Sequence, residues 1–434
     1  MIKKNNLRSL RLTNRCQFIL CVTALLSASP ALAAYTNLNW KANLTLKETY
    51  DDNVYLEDKA PGPGVPGAVP ARKDSWVTTI TPYIAVDDKV CSGFNAGVSY
   101  TPDIAIYHNA HSEDYTAHHI GATFGGKADQ LTWEQANAFT DIDGNHLGPI
   151  FANPQDCPAI GGIPLRNRRD AAIYLGSFKL TYTLDRFFIR PAANAYVHDF
   201  KTVQMPSPAG GIYENYIDRQ DVNGGVDIGC DLGKKTYLVL GYRYGRQDQY
   251  KLLGAYSPYD RAYHRILIGV EGSPAPWIKL AVLGGPDFSD WAPGTPAGFD
   301  RNKIVYWINA KVTLLPTKND TIVLFHRSYE QPAFASVSVY QDITTTLTWT
   351  HRLNDHFSAN AGMELYIGDW QAPALRDDWI YTPSAGLTYT YNQHLNAELT
   401  YSYDWAENMQ SGVATGEGRE FTRNLVSLAV QCTF

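Results

Sequence analysis

Apolar and polar side chains alternate one for one over most of this chain. In residues 38–47, Leu38, Trp40, Ala42, Leu44 and Leu46 fall on one face of an extended backbone, and Asn39, Lys41, Asn43, Thr45 and Lys47 on the other. This follows because successive strand side chains point to opposite sides. Ile304, Tyr306, Ile308, Ala310, Val312 and Leu314 alternate in the same way with Lys303, Trp307, Asn309, Lys311 and Thr313. The last stretch repeats the pattern: Val426, Leu428, Val430, Cys432 and Phe434 against Ser427, Ala429, Gln431 and Thr433. Lysines interleaved with leucines suit a wall between lipid and water better than a strand in a soluble core.

Counting such segments gives about eighteen strands, with 16–18 the range. Residues 131–139 have the poorest alternation. Connections alternate in length. Short turns are expected at Asp87, Leu184, Gly233, Ser273, Pro316, Asn354 and Asn392. Long polar or Pro/Gly-rich connections are expected at 59–70, 141–168, 199–212, 285–300 and 406–418. The fold class this predicts is all-β: a transmembrane antiparallel up-and-down β-barrel with short periplasmic turns and long extracellular loops. An even strand number leaves both ends of the chain on the periplasmic side. In hydrocarbon an unpaired backbone N–H or C=O costs several kcal/mol, so a sheet must close on itself. A soluble secreted β-sandwich or propeller is the alternative; no signature repeating every 40–50 residues supports a propeller.

The first residues add a destination. Lys3, Lys4, Arg8, Arg11 and Arg15 precede an apolar run over 18–28, and Ala31-Leu32-Ala33 offers a cleavage site. This predicts a signal peptide at 1–33 and a barrel over 34–434, exported to the bacterial outer membrane. Losing that leader takes the formal charge from −6 to −11, so nucleic acid is an unsuited partner. Beyond it no apolar run of about 18 residues provides a spanning helix. The 28 Tyr and 10 Trp suit interfacial girdles. Cys230 and Cys432 fall on the lipid face, with Cys91 near a turn and Cys157 in a long loop; no Cys-x-x-Cys spacing points to metal.

Three segments carry a family resemblance: Glu48-Thr49-Tyr50-Asp51-Asp52-Asn53-Val54-Tyr55, Gly284-Gly285-Pro286-Asp287-Phe288, and the terminal strand ending in Phe434. They resemble the β-barrel porins of the OmpL-like group of bacterial outer-membrane proteins. The resemblance implies a porin and transfers no catalytic or binding residue. The terminal aromatic is similar to the signal that the barrel-assembly machinery recognises. By analogy with general porins, a homotrimer and an inward-folded third outer loop are expected.

A pore selects by width and lumen charge. Alternation places Arg243, Arg261, Arg265, Lys279, Lys303 and Lys311 inward as a basic cluster, and Glu364, Glu398 and Asp404 inward as an acidic one. Residues 141–168, with Asp141, Asp143 and Asp156, are the expected constriction loop facing the basic strands. His108, His111, His118 and His119 are dense, but neighbours on a strand point oppositely, which disfavours a metal site. His264 lies on the lipid face, where a barrel lipid hydrolase would keep a catalytic histidine. Trp307 faces inward, as a sugar-stacking track would require. The expected function is passive diffusion of small hydrophilic solutes through a water-filled lumen, without cofactor or chemistry. An oligosaccharide-preferring channel, a non-conducting structural barrel and an outer-membrane lipid hydrolase are the alternatives.

Overall fold

The computed structural model describes residues 39–56, 58, 72–91, 93–144, 170–201, 217–251, 254–333, 338–372, 377–409 and 420–434. The leader, Asp156 and Cys157 lie outside them. Eighteen strands account for most of the described residues. They run β1 (Asn39–Asp51), β2 (Ser75–Cys91), β3 (Phe94–Tyr107), β4 (Tyr115–Ala128), β5 (Leu131–Asp143) and β6 (Ala171–Leu184). Next come β7 (Phe187–Phe200), β8 (Arg219–Gly233), β9 (Thr236–Gln249), β10 (Arg261–Ala275), β11 (Ile278–Trp291) and β12 (Val305–Leu314). The last are β13 (Asp320–Pro332), β14 (Val339–Arg352), β15 (Phe357–Trp370), β16 (Asp377–Thr390), β17 (Leu395–Asn408) and β18 (Phe421–Thr433).

Each strand pairs antiparallel with its neighbour in the chain, and β1 pairs with β18 from Asn43↔Thr433 to Asp51↔Leu425. The sheet is thus a closed 18-strand antiparallel barrel without a free edge. Its outer face carries exposed apolar side chains at every second position, among them Ile228, Leu240, Ile266, Ile268, Leu399 and Leu428. Tyr242, Tyr244, Tyr401 and Trp405 share that face. A water-filled exterior would oppose this much exposed hydrocarbon; a lipid one would not.

All short connections lie at the end where β1 begins, and the longer ones at the other. Lys234 and Lys235 link β8 to β9 in two residues, both at positive φ (52° and 56°), the backbone that matches the twist of a tight hairpin. Gly285 marks a close approach: a Cβ there would lie 1.9 Å from the Ile266 carbonyl oxygen, so glycine is required where β10 and β11 meet. One turn differs from the sequence reading. The turn expected at Asp87 lies beyond Cys91, because Asp87 pairs in register with Asn39 and accepts hydrogen bonds from Asn39 (2.6 Å) and Lys41 (2.7 Å). β13 runs on past Arg327 to Pro332.

The resembling segment at 48–55 forms the seam. Asp52 accepts hydrogen bonds from the Asn424 backbone N–H (2.6 Å) and side-chain amide (2.8 Å) and from Arg72 (3.1 Å). Asn53 donates to the Thr422 carbonyl (2.9 Å). The first and last strands are therefore clasped just above their shared ladder.

Candidate functional site

The site is the inside of the barrel, and its width is set where β13 leaves the wall. β12 is short, and its pairing with β13 stops at Ile308↔Ser328. Above that point β13 pairs with β14 alone, up to Pro332↔Val339. Freed on one side, this hairpin end leans across the lumen onto the inner faces of β8, β9 and β10. Arg219 of β8 donates to the Pro332 carbonyl (2.7 Å), and Gln249 of β9 donates to the Ala333 carbonyl (2.6 Å). Arg261 of β10 donates to the Glu330 carbonyl (3.0 Å) and to its carboxylate (2.5 Å).

Everything in that contact is dry. The Arg261 and Glu330 side chains are 1% and 2% exposed. Gln371, after β15, donates to the other Glu330 carboxylate oxygen, and Gln247 accepts from the Arg261 Nε (3.0 Å). A buried ion pair survives only when its remaining donors and acceptors are satisfied, and this one is surrounded by amides. Rings fill the rest: Tyr340 stacks on Trp370 with centroids 4.7 Å apart, and Tyr259, Trp291, Phe299 and Val339 form a second cluster.

Below the hairpin the arginines continue as matched pairs. Arg265 holds Asp287 through two parallel hydrogen bonds (2.6 and 2.7 Å), the fork geometry that suits guanidinium and carboxylate. Arg243 lies 2.7 Å from Asp227, which also accepts from Arg190 (3.0 Å). Arg190 reaches past β9 to hold both oxygens of Glu271 (2.7 and 3.0 Å). Arg265 stands 4.8 Å over the Tyr263 ring and 4.6 Å over that of Trp307.

The mouth is narrowed from another direction by Leu56. This residue, 1% exposed, packs with Ala171 and Phe200 at the tops of β6 and β7, and with Tyr366, Ile380, Ala406 and Phe421 of β15 to β18. Two distant arcs of the wall therefore share one apolar cluster that contains Leu56.

Of the expected basic cluster, Arg243, Arg261 and Arg265 are buried on the inner face but neutralised by carboxylates. Lys279 and Lys311 are exposed on the inner face, and Lys303 precedes β12 and donates to Asp369 (3.2 Å). Of the acidic group, Asp404 is buried against Arg423 (2.7 Å). Glu364 is exposed and accepts from Thr346 (3.1 Å), and Glu398 is half-buried.

Of the expected constriction loop, residues 145–168 lie outside the described residues, and the correction concerns Asp141. Asp141 stands opposite His118, two places from the exposed outward Ile120, so it is on the outer face. It pairs with Lys201 (2.9 Å), away from the basic strands. Asp143 is exposed at the end of β5, and Asp156 lies outside the described residues. Among the described residues, the β13–β14 hairpin end reaches Arg219 and Arg261.

Sequence reading missed Asp227, Asp287, Glu330, Arg190 and Arg219. Asp227 and Asp287 were legible as inward positions by alternation alone. Glu330 was not, since it falls on the outward phase of β13 and faces β10 only because the hairpin bends inward.

Histidines separate by face. His119 lies 3.3 Å from Asp103, whereas His118 meets the Tyr100 hydroxyl (2.8 Å) on the other side. Among the described residues no cluster of His, Cys, Asp and Glu could hold a metal ion. His264 is on the outer face, bonded to the Tyr242 hydroxyl (2.7 Å) with the Tyr244 ring 5.2 Å away.

No family model and no curated protein matches this chain. Among solved structures it is similar to the outer-membrane protein OpdK of Pseudomonas aeruginosa, at 9% identity and TM-score 0.43, covering 91% of this chain and 99% of that one. It is similar to the anion-selective porin of Comamonas acidovorans at 10% identity and TM-score 0.38, covering 92% and 99%. It is also similar to the ferric enterobactin receptor PfeA of Pseudomonas aeruginosa in complex with BCV-L6, at 8% identity and TM-score 0.45, covering 92% and 82%.

Proposed function

We propose that this chain is an outer-membrane porin of the OmpL-like kind, passing small hydrophilic solutes by passive diffusion. The observation that carries the reading is the contrast between the two faces of one closed sheet. Outside, most alternate residues are apolar and exposed; inside, the same strands present charges, amides and hydroxyls. A cylinder built so is stable only with lipid around it and water or polar solute within. The hairpin end and Leu56 restrict the outer half of the lumen, so the sieve is narrower than eighteen strands alone would leave. Export through a cleaved leader, recognition of the strand ending at Phe434 by the assembly machinery and a homotrimeric state belong to the same proposal.

The test is reconstitution of the purified full-length mature chain in planar bilayers. Discrete, stable conductance steps are the expected result. Their absence would overturn the porin reading in favour of a structural barrel, and lipid hydrolysis lost in His264→Ala would favour an enzyme.

A further inference from the structure

The inward cations on β11, β12 and β13 differ from the arginines above them: they have no carboxylate to hold. Register places them. Asn309 is opposite Leu283 and Arg327, Lys311 is opposite Ala281 and Phe325, and Thr313 is opposite Lys279. Lys279, Lys311 and Arg327 are therefore diagonal neighbours on one face, each step roughly 7–8 Å. They climb from the short-turn end towards the inserted hairpin.

None of the three makes an ion pair with a described residue. The Arg327 Nε is buried without a hydrogen-bond partner, while its guanidinium stands 5.0 Å from the Tyr329 ring centroid. Inward positions of the wall from Lys279 to Gly285, Trp307 to Thr313 and Val323 to Arg327 contain no carboxylate. Of the inward acids on and beside these strands, Asp287 is held by Arg265 and Glu271 by Arg190, while Asp342 accepts from the Gln331 amide (2.7 Å) and Glu364 from the Thr346 hydroxyl (3.1 Å).

We propose that Lys279, Lys311 and Arg327 form a track for small organic oxyanions, with the Asn309 amide as a neutral donor between rungs. The ligand class follows from the groups. A guanidinium presents a planar fork that matches the two oxygens of a carboxylate or phosphate, and ammonium groups one diagonal step apart pass such an anion on. Arg265 and Arg261 do not compete for it, because each already holds a carboxylate. The track rests on the porin reading, whose pore it makes anion-preferring.

The experiment is reversal potential across a bilayer at about 0.1 M salt, where screening acts over roughly 10 Å. Potassium chloride is used first, then potassium acetate and potassium phosphate. The expected result is anion preference in the wild type, with acetate or phosphate carrying current. Current from acetate alone assigns carboxylates, and from phosphate alone phosphate esters; no current from either overturns the proposal. In Lys279→Gln/Lys311→Gln/Arg327→Gln the anion-to-cation permeability ratio should fall at least about tenfold, since one charge about 7 Å away in water shifts local ion concentration by a factor near 2–3. Wild-type cation preference, or a triple variant with the wild-type ratio, overturns it. Lys311→Glu, at an exposed position, serves should the triple variant fail to insert, and should then reverse the preference. Absent conductance overturns the porin reading and the track together; conductance without anion preference overturns the track alone.

Discussion

In the long-loop half of the lumen Arg219, Arg243, Arg261 and Arg265 are buried against carboxylates, carbonyls and rings; in the short-turn half Lys279, Lys311 and Glu364 stand exposed. The same strands line both halves, and the same alternation placed all these side chains inward. The difference comes from what stands across from them. Above, the β13–β14 hairpin and Leu56 exclude water, so each charge needs a partner at hydrogen-bond distance. Below, the cylinder is open and water solvates a lone lysine at little cost. Charge in the upper half thus holds structure, as does the Arg190–Asp227–Glu271 group lower down, and the unpaired charges of the lower half are available to solute. A count of lumen charges that ignored this division would assign the pore three cations it does not offer.

The sharpest way to break the comparison is Arg261→Ala. It strands the Glu330 carboxylate in a dry site, at a cost of about 3–5 kcal/mol, so the hairpin end should be expelled. Single-channel conductance should then rise roughly twofold or more as the lumen widens. Arg261→Met with Glu330→Leu removes both charges and keeps the volume, and should return conductance to the wild-type value. If both variants conduct as the wild type does, the hairpin is not the restriction.

Leu56→Ala tests the second restriction. Removing a side chain buried between two walls should destabilise by about 2–5 kcal/mol, read as a lower thermal midpoint in detergent. An unchanged midpoint would mean that the mouth packs without it. The reverse holds in the open half. Lys311→Gln should leave the thermal midpoint within about 0.5 kcal/mol of wild type, because an exposed lysine supports no packing. A large loss there would erase the distinction between the halves.

At the seam the expected effect is on the pH dependence of stability. Burial pushes the Asp52 carboxyl up, but hydrogen bonds from the Asn424 backbone and amide and from Arg72 outweigh it, holding it below the usual range. Its contribution is present above the ordinary carboxylate pKa of about 4 and is lost as pH falls through its own lower value. Wild-type stability should therefore decline on acidification below about pH 4 more steeply than that of Asp52→Asn. Parallel pH profiles would remove Asp52 from the clasp.

The alternation in residues 38–47, 304–314 and 423–434 made the barrel legible, because a sheet between lipid and water must change polarity at every residue. It assigned Arg243, Arg261, Arg265, Lys279 and Lys311 to the inner face for the same reason. Long loops were legible as composition but not as conformation. Residues 141–168 are rich in breakers and acids and drew the constriction reading; of these, Asp141 is held on the outer face by Lys201, and 145–168 lie outside the described residues.

What the sequence determined by itself was local: a two-residue period, the places where it breaks, and so the number of strands and the face of most side chains. What tertiary structure alone decided was which inward charges meet. Glu330 contacts Arg261 across intervening strands only because β12 ends early and frees β13 to bend into the lumen. No pattern of neighbours in the chain encodes that meeting, since it depends on strand length and on closure of the whole cylinder.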